Sequence, residues 1–355
     1  MRYFFILFAI AGLLINPSAA EACTGITLKS KDSTTIVART IEWGGSNLNS
    51  QYVVVPRGYT ERSYTPDGVD GMTFTARYGY VGLAVEQKEF IAEGLNEVGL
   101  SAGLFYFPKY GEYEKYNAAV RDKSISDLQL VSWLLGECSN VKEAVKKVHV
   151  INIDPRASTV HWRFAEPSGR QLVLEIIKGE LHFYENTLGV LTNSPSFEWH
   201  LTNLNNYVNL FPGTAPNQQL GNIELSSFGA GSGFLGIPGD VTPPSRFVRA
   251  AFYQASAPQQ ETALETVFQC FQILNNFDIP VGIEFPLGQV PCDIPSATQW
   301  TSVTDMRNHV IYYRTMYNSV IRNIDLRSID FSTVRYRAVS MDGTKRQAVE
   351  TIKIE

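Results

Sequence analysis

The spacing of polar and apolar positions changes several times along this chain. Thr24 to Leu28 and Thr34 to Thr40 are rich in β-branched residues and flank the turn-like Ser30-Lys31-Asp32-Ser33, which predicts a hairpin. Phe74 to Val81 and Gly99 to Phe107 read as further strands. Helical signals follow: Ser126 can cap Asp127 to Leu135, and Ser139 or Asn140 can cap Val141 to Val148. Strand runs return at Thr159 to Ala165, Gln171 to Ile177 and Glu180 to Tyr184, joined at Pro167-Ser168-Gly169 and Lys178-Gly179. A third helix is expected over Gln259 to Leu274, and a late hairpin over Thr301 to Thr304 and Val310 to Arg314. Strand blocks alternating with helix blocks predict an α+β layered domain with antiparallel sheets under helices.

No repeat, low-complexity tract or long linker divides the chain, so a single domain over residues 23–355 is expected. The preceding segment, residues 1–22, reads as a secretory signal peptide. Arg2 gives the positive start, Tyr3 to Ile15 the apolar run, and Ala20-Glu21-Ala22 the cleavage pattern. The expected location is therefore outside the cytoplasm, periplasmic or secreted, and no later run is apolar enough to span a membrane. Net charge is −5 without a basic block, which argues against a nucleic-acid partner. Cys138, Cys270 and Cys292 accompany Cys23 without regular spacing. Export implies an oxidising compartment and allows one bridge among the three, but so few cysteines without regular spacing do not make a disulfide scaffold.

Cleavage after Ala22 would make Cys23 the first residue, placing a thiol and a free α-amino group together. That amine has a reference pKa of about 7.7–8.0, so part of it is neutral near pH 7 and can take the thiol proton. Three other readings compete. Cys23 could be an ordinary buried residue, or the modified cysteine of a lipoprotein. Ala20 and Glu21 suit a lipoprotein site poorly. Cleavage after Ala20 would leave two residues to be trimmed.

The first hairpin carries a geometric expectation. A turn centred near Lys31 sets Cys23 opposite Arg39, on the same face of the sheet. A guanidinium there would favour the thiolate and lower the thiol pKa. Glu42 could balance that charge and orient the amine. A surface Arg and Glu at a strand end is the plainer alternative.

Cys23-Thr24-Gly25 followed by Arg39 resembles the start of the choloylglycine hydrolases, a family of bile salt hydrolases and penicillin V acylases among the N-terminal nucleophile hydrolases. The resemblance continues through Gly94-Leu95-Asn96-Glu97-Val98-Gly99-Leu100. It is strongest over Leu191 to His200 (LTNSPSFEWH) and Gly236 to Phe247 (GIPGDVTPPSRF). It implies a four-layer αββα fold, a cysteine amidase and a thioester acyl-enzyme. Cys23 would be the nucleophile, Arg39 the arginine beside it, Asn193 an oxyanion donor through its side-chain amide, and Arg246 the second active-site arginine. Glu42 stands where many members have Asp. An asparagine common after Gly103-Leu104 is missing, and Phe105-Tyr106 occupy its place. Glycine- or taurine-conjugated bile salts are the implied substrates, with penicillin V or other N-acyl amides, including acyl-homoserine lactones, as alternatives. A catalytically silent lipoprotein or ligand-binding protein is the rival from another class. A homo-oligomer is expected, with a tetramer as one form.

Trp43, Phe105, Tyr106 and Phe107 are candidates for an apolar substrate pocket, to which the glycine-rich stretch ending at Gly236 could contribute. Gly231 to Gly236 fits G-x-G-x-x-G literally, but Pro238, Pro243 and Pro244 follow where a phosphate-binding helix should open, so it reads as a flexible loop. His149, His161, His182, His200 and His309 lack metal-ligand spacing, and no metal or cofactor is expected. His200 is expected to be a packing or surface residue beside Trp199, with a Cys-His pair as the alternative.

Overall fold

The computed structural model describes residues 21–43, 48–156, 158–290 and 297–354. Most of the segment read as a signal peptide, residues 1–20, and Cys292 lie outside them. Cys138 and Cys270 are both buried and unbridged.

Two antiparallel sheets face each other. Among the described residues the smaller has five strands, starting with β1 (Glu21–Lys29) at one edge and β2 (Thr35–Trp43) beside it, followed by Ala297–Asp305, Val310–Thr315 and Asn318–Asp325. The larger runs in the spatial order Glu180–Glu185, Gln171–Ile177, Val160–Ala165, Ser101–Tyr106, Ile91–Asn96, Tyr80–Ala84, Gln51–Val55 and Arg337–Ser340. The α-helices are α1 (Leu130–Glu137), α2 (Val141–Val148), α3 (Phe197–Asn203), α4 (Pro243–Ser256) and α5 (Ala263–Leu274). The pair α4 and α5 covers the outer face of the smaller sheet, while α1 and α2 cover the larger. The layers are therefore αββα, as expected. Covering both faces explains why β2 is a nearly unbroken buried run rather than an alternation.

The helix ends follow their sequences. Asn140 caps α2 by accepting from Glu143 N, and Thr262 with Glu265 forms a capping box on α5. Ser126 caps the 3₁₀ turn that leads into α1.

Two expectations need correction. The strand expected over Phe74 to Val81 is broken into Thr73–Thr75 and Tyr80–Ala84. Between them Tyr78 N bonds to Gly136 O, and Gly79 packs so tightly that a Cβ would stand 2.2 Å from the Phe331 ring. The prolines after Gly236 do not keep a helix from opening there. Pro243 and Pro244 open α4, where a missing N–H costs no helical hydrogen bond.

Candidate active site

The hairpin of β1 and β2 sets the geometry. Its loop spans five residues, with Ser33 in the left-handed region at φ 68° and Ser30 N bonded to Thr34 O. The centre therefore falls at Asp32 rather than Lys31. Ile41, not Arg39, lies across from Cys23, and Gly25 is the partner of Arg39. The expected direct pairing is thus wrong by two positions. Two positions preserve the face, however, and the long Arg39 side chain reaches back along the diagonal. Its Nη2 lies 2.7 Å from Cys23 Sγ.

On its other edge β1 takes an isolated antiparallel bridge. Gly25 N donates to Leu191 O at 2.7 Å, and Leu191 N to Gly25 O at 3.1 Å. Two residues further along each strand, the bridge brings Asn193 to Cys23. Asn193 Oδ1 accepts from Cys23 N at 2.8 Å and from Arg246 Nη2 at 2.7 Å. Its Nδ2 donates to Tyr106 O at 2.8 Å. Arg246 comes from α4. It also donates to Thr24 Oγ1 at 2.8 Å, to Val241 O at 2.9 Å and to Cys23 O.

Glu42 alternates with Arg39 and Ile41 along β2, so it projects to the helix-covered face. It lies across from Ala22 on one side and Thr298 on the other, and its Oε1 accepts from Thr298 Oγ1 at 3.1 Å. Burial pushes its carboxyl up to about 7, against the pull of Arg246, Thr40, Thr298 and Arg39. Burial also raises the Cys23 thiol, and Glu42 adds to that. Arg39, Arg246 and a hydrogen bond from the Tyr106 main chain oppose it. With Ala22 still attached, burial outweighs Arg39, so the net lowering expected from sequence is absent.

A cavity of about 260 Å³ opens at the sulfur, walled by Ile41, Trp43, Leu48, Leu104, Tyr106 and Val160, with Ala22 and Asp127 also on its wall. The Trp43 and Tyr106 rings meet edge to face with centroids 6.3 Å apart. Phe105, expected on this wall, is instead fully buried, with the Arg39 guanidinium carbon 4.1 Å from its ring centre. Phe107 is buried too and stacks on His161. The glycine-rich stretch ending at Gly236 does not line the cavity.

Several residues here were not anticipated. Glu93 and Arg163 form a buried ion pair, Arg163 Nη2 to Glu93 Oε1 at 3.0 Å, directly behind Arg39. His161 bridges Glu175 Oε1 at 3.0 Å and Thr192 O at 3.1 Å. His200 is a packed residue: burial pushes it down to about 4, and the neutral ring donates from Nε2 to Asn193 O at 2.8 Å. Two imidazoles therefore hold the consecutive carbonyls of Thr192 and Asn193. Nothing local in the sequence marks the partners of Glu93, Arg163 and His161, because they come from separate segments of the chain.

Residues 23–339 match the family model described as linear amide C–N hydrolases, choloylglycine hydrolase family. A bile salt hydrolase/transferase from Lactiplantibacillus plantarum is 33% identical over 318 residues, 86% of this chain and 92% of that protein. A crystal structure of a mutant conjugated bile acid hydrolase from Clostridium perfringens superposes with a TM-score of 0.79 at 28% identity, covering 93% of this chain and all of that one. A penicillin V acylase from Pectobacterium atrosepticum is 24% identical over 94% of this chain and 89% of its own length.

Proposed function

The chain belongs to the choloylglycine hydrolase family and is a hydrolase of linear amide C–N bonds, and on that premise we propose that it cleaves glycine- or taurine-conjugated bile salts with Cys23 as nucleophile. Residues 1–22 are read as a signal removed after Ala22, leaving one exported catalytic domain over 23–355, which assembles as a homo-oligomer. The observation that carries the reading is the convergence on one residue. Arg39 contacts the sulfur of Cys23, Asn193 accepts from its nitrogen, and the apolar cavity opens at the same sulfur.

Removal of Ala22, the residue across from Glu42, turns Cys23 N into an amine beside Asn193 Oδ1. The thiol proton passes to that amine, and the thiolate attacks the amide carbonyl. The C–N bond breaks, the leaving amine takes the proton, and a thioester remains for water to hydrolyse. Asn193 Nδ2 is the side-chain donor for the oxyanion. At the position of the missing family asparagine, the main chain of Tyr106 meets the sulfur, while its ring walls the cavity.

Penicillin V acylase is the second reading, supported by the likeness to such an enzyme at 24% identity over 94% of this chain. Initial rates with glycocholate, taurocholate and penicillin V separate the two. The proposal expects both bile salts to be cleaved with higher kcat/KM. A wild type that cleaves penicillin V far better than either would replace it. Family membership in a hydrolase class sets aside the catalytically silent alternative.

A further inference from the structure

We propose that Glu93 and Arg163 are positioning residues for Arg39, and that the three together set the ionisation of the Cys23 sulfur. The effect on turnover rests on Cys23 being the nucleophile, but the titration of the sulfur does not.

The three side chains lie between the sheets, all essentially inaccessible to water. Arg39 donates from Nη1 to Leu104 O at 2.6 Å and Ala92 O at 3.1 Å, and from Nε to Thr40 O at 3.2 Å. Those carbonyls fix the guanidinium so that Nη2 faces the sulfur. Glu93 Oε2 sits 3.6 Å from Arg39 Nη1, and its Oε1 is held by Arg163 Nη2 and by Ser101 Oγ at 3.3 Å. Arg163 is anchored in turn by Nη1 donating to Ala38 O at 3.3 Å.

Two glycines make room for this cluster. A Cβ on Gly103 would stand 2.2 Å from Glu93 Oε2, and one on Gly25 would stand 3.1 Å from Arg163 Nη1 and 3.0 Å from Phe105. Neither glycine has a positive φ, so space rather than backbone freedom requires them. Two guanidiniums and one carboxylate leave a single positive charge behind the sulfur, which one thiolate balances. Buried charges are screened little by water, so that balance reaches the thiol through Arg39.

Cys23 is also faced by Glu42 from β2, Arg246 from α4, the Tyr106 main chain and the Asn193 amide. All remain in each variant below, so differences report the cluster. Removing the negative charge favours the thiolate, and removing the distal positive charge disfavours it. A purely structural ion pair would not produce opposite signs.

The test is the iodoacetamide alkylation rate of Cys23 as a function of pH, read by mass spectrometry on the Cys23 peptide of the purified enzyme. Glu93→Gln should lower the midpoint by about one pH unit, and Arg163→Met should raise it by a similar amount. Arg163→Lys keeps the charge and should stay near wild type. The double variant Glu93→Gln with Arg163→Met should return towards wild type. Circular dichroism identifies any variant that fails to fold. If Arg163→Met does, the downward shift in Glu93→Gln against an unmoved Arg163→Lys decides. Midpoints that stay in place, or that move together in Glu93→Gln and Arg163→Met, overturn the proposal. Retained turnover in Cys23→Ala would instead overturn the nucleophile reading and leave the titration result standing.

Discussion

Arg39 reaches Cys23 along a diagonal of the first hairpin: Nη2 is 2.7 Å from Sγ, although Ile41 is the residue directly across. The contact depends on the length of the arginine and on both residues projecting to one face. A lysine has neither the planar fork nor the main-chain bonds that aim it.

Arg39→Ala removes a cation from beside the sulfur, so the thiol pKa should rise by about 1–3 units. Alkylation of Cys23 near pH 7 should slow accordingly, and Arg39→Lys should recover only part of the rate. An unchanged pH profile in Arg39→Ala would contradict the electrostatic role.

Asn193→Ala removes the acceptor shared by Cys23 N and Arg246 together with the amide donor. It should lower kcat by roughly 10²–10³, the range seen when an oxyanion donor is lost. Asn193→Asp keeps the acceptor oxygens and loses the donor, so a similar loss there assigns the effect to the donor. Steady-state rates on glycocholate make the comparison.

His161→Phe and His200→Phe each free one carbonyl of the Thr192-Asn193 segment without touching the sulfur. Misplacement of a catalytic group by about 1 Å can cost roughly 10²-fold. Both variants should lower kcat much more than they raise KM, measured on the same substrate. A change confined to KM would argue against positioning.

The cavity wall and the core should respond differently. Truncating Trp43 or Tyr106 to Ala removes apolar wall, at about 25 cal/mol per Å² of lost contact, and should raise KM for bile salts more than for small acyl amides. Phe105 is core, not wall, so Phe105→Ala should destabilise the fold by about 3–5 kcal/mol, measured by urea unfolding.

Asp127 gives a pH signature. Burial pushes its carboxyl from 3.8 up to about 7, against hydrogen bonds from Leu128 N, Arg156 N, Ser126 and Tyr113. The native state therefore holds a proton that the unfolded chain releases near pH 4. Stability from this group is fully present below pH 4 and is lost as pH rises to 7. Asp127→Asn keeps an acceptor for both main-chain donors and cannot ionise. Its stability relative to wild type should rise by a few kcal/mol between pH 4 and 7. A constant difference across that window would contradict the shift.

Much of the layering was legible because hairpins and capped helices are local. The strand Gln171–Ile177 and α2 fall where the pattern places them, and turn residues mark their ends. The face shared by Cys23 and Arg39 was legible through parity, but the register was not. Ser33 adopts a positive φ that its residue type does not announce. Helix α4 was hidden by Pro243 and Pro244, which argued against a helix opening there although proline suits the first helical turn. Arg246 could therefore be named from family resemblance and not from its helix. Glu93, Arg163 and His161 were invisible for another reason. Each meets its partners across strands that are distant in sequence, and an isolated charged residue in a strand gives no sign of burial.

Turnover of glycocholate by Cys23→Ala is the decisive measurement of whether Cys23 is the nucleophile. The expected result is a folded protein, with unchanged circular dichroism, that releases no glycine above background. A Cys23→Ala protein that still hydrolyses glycocholate at a substantial fraction of the wild-type rate would contradict it.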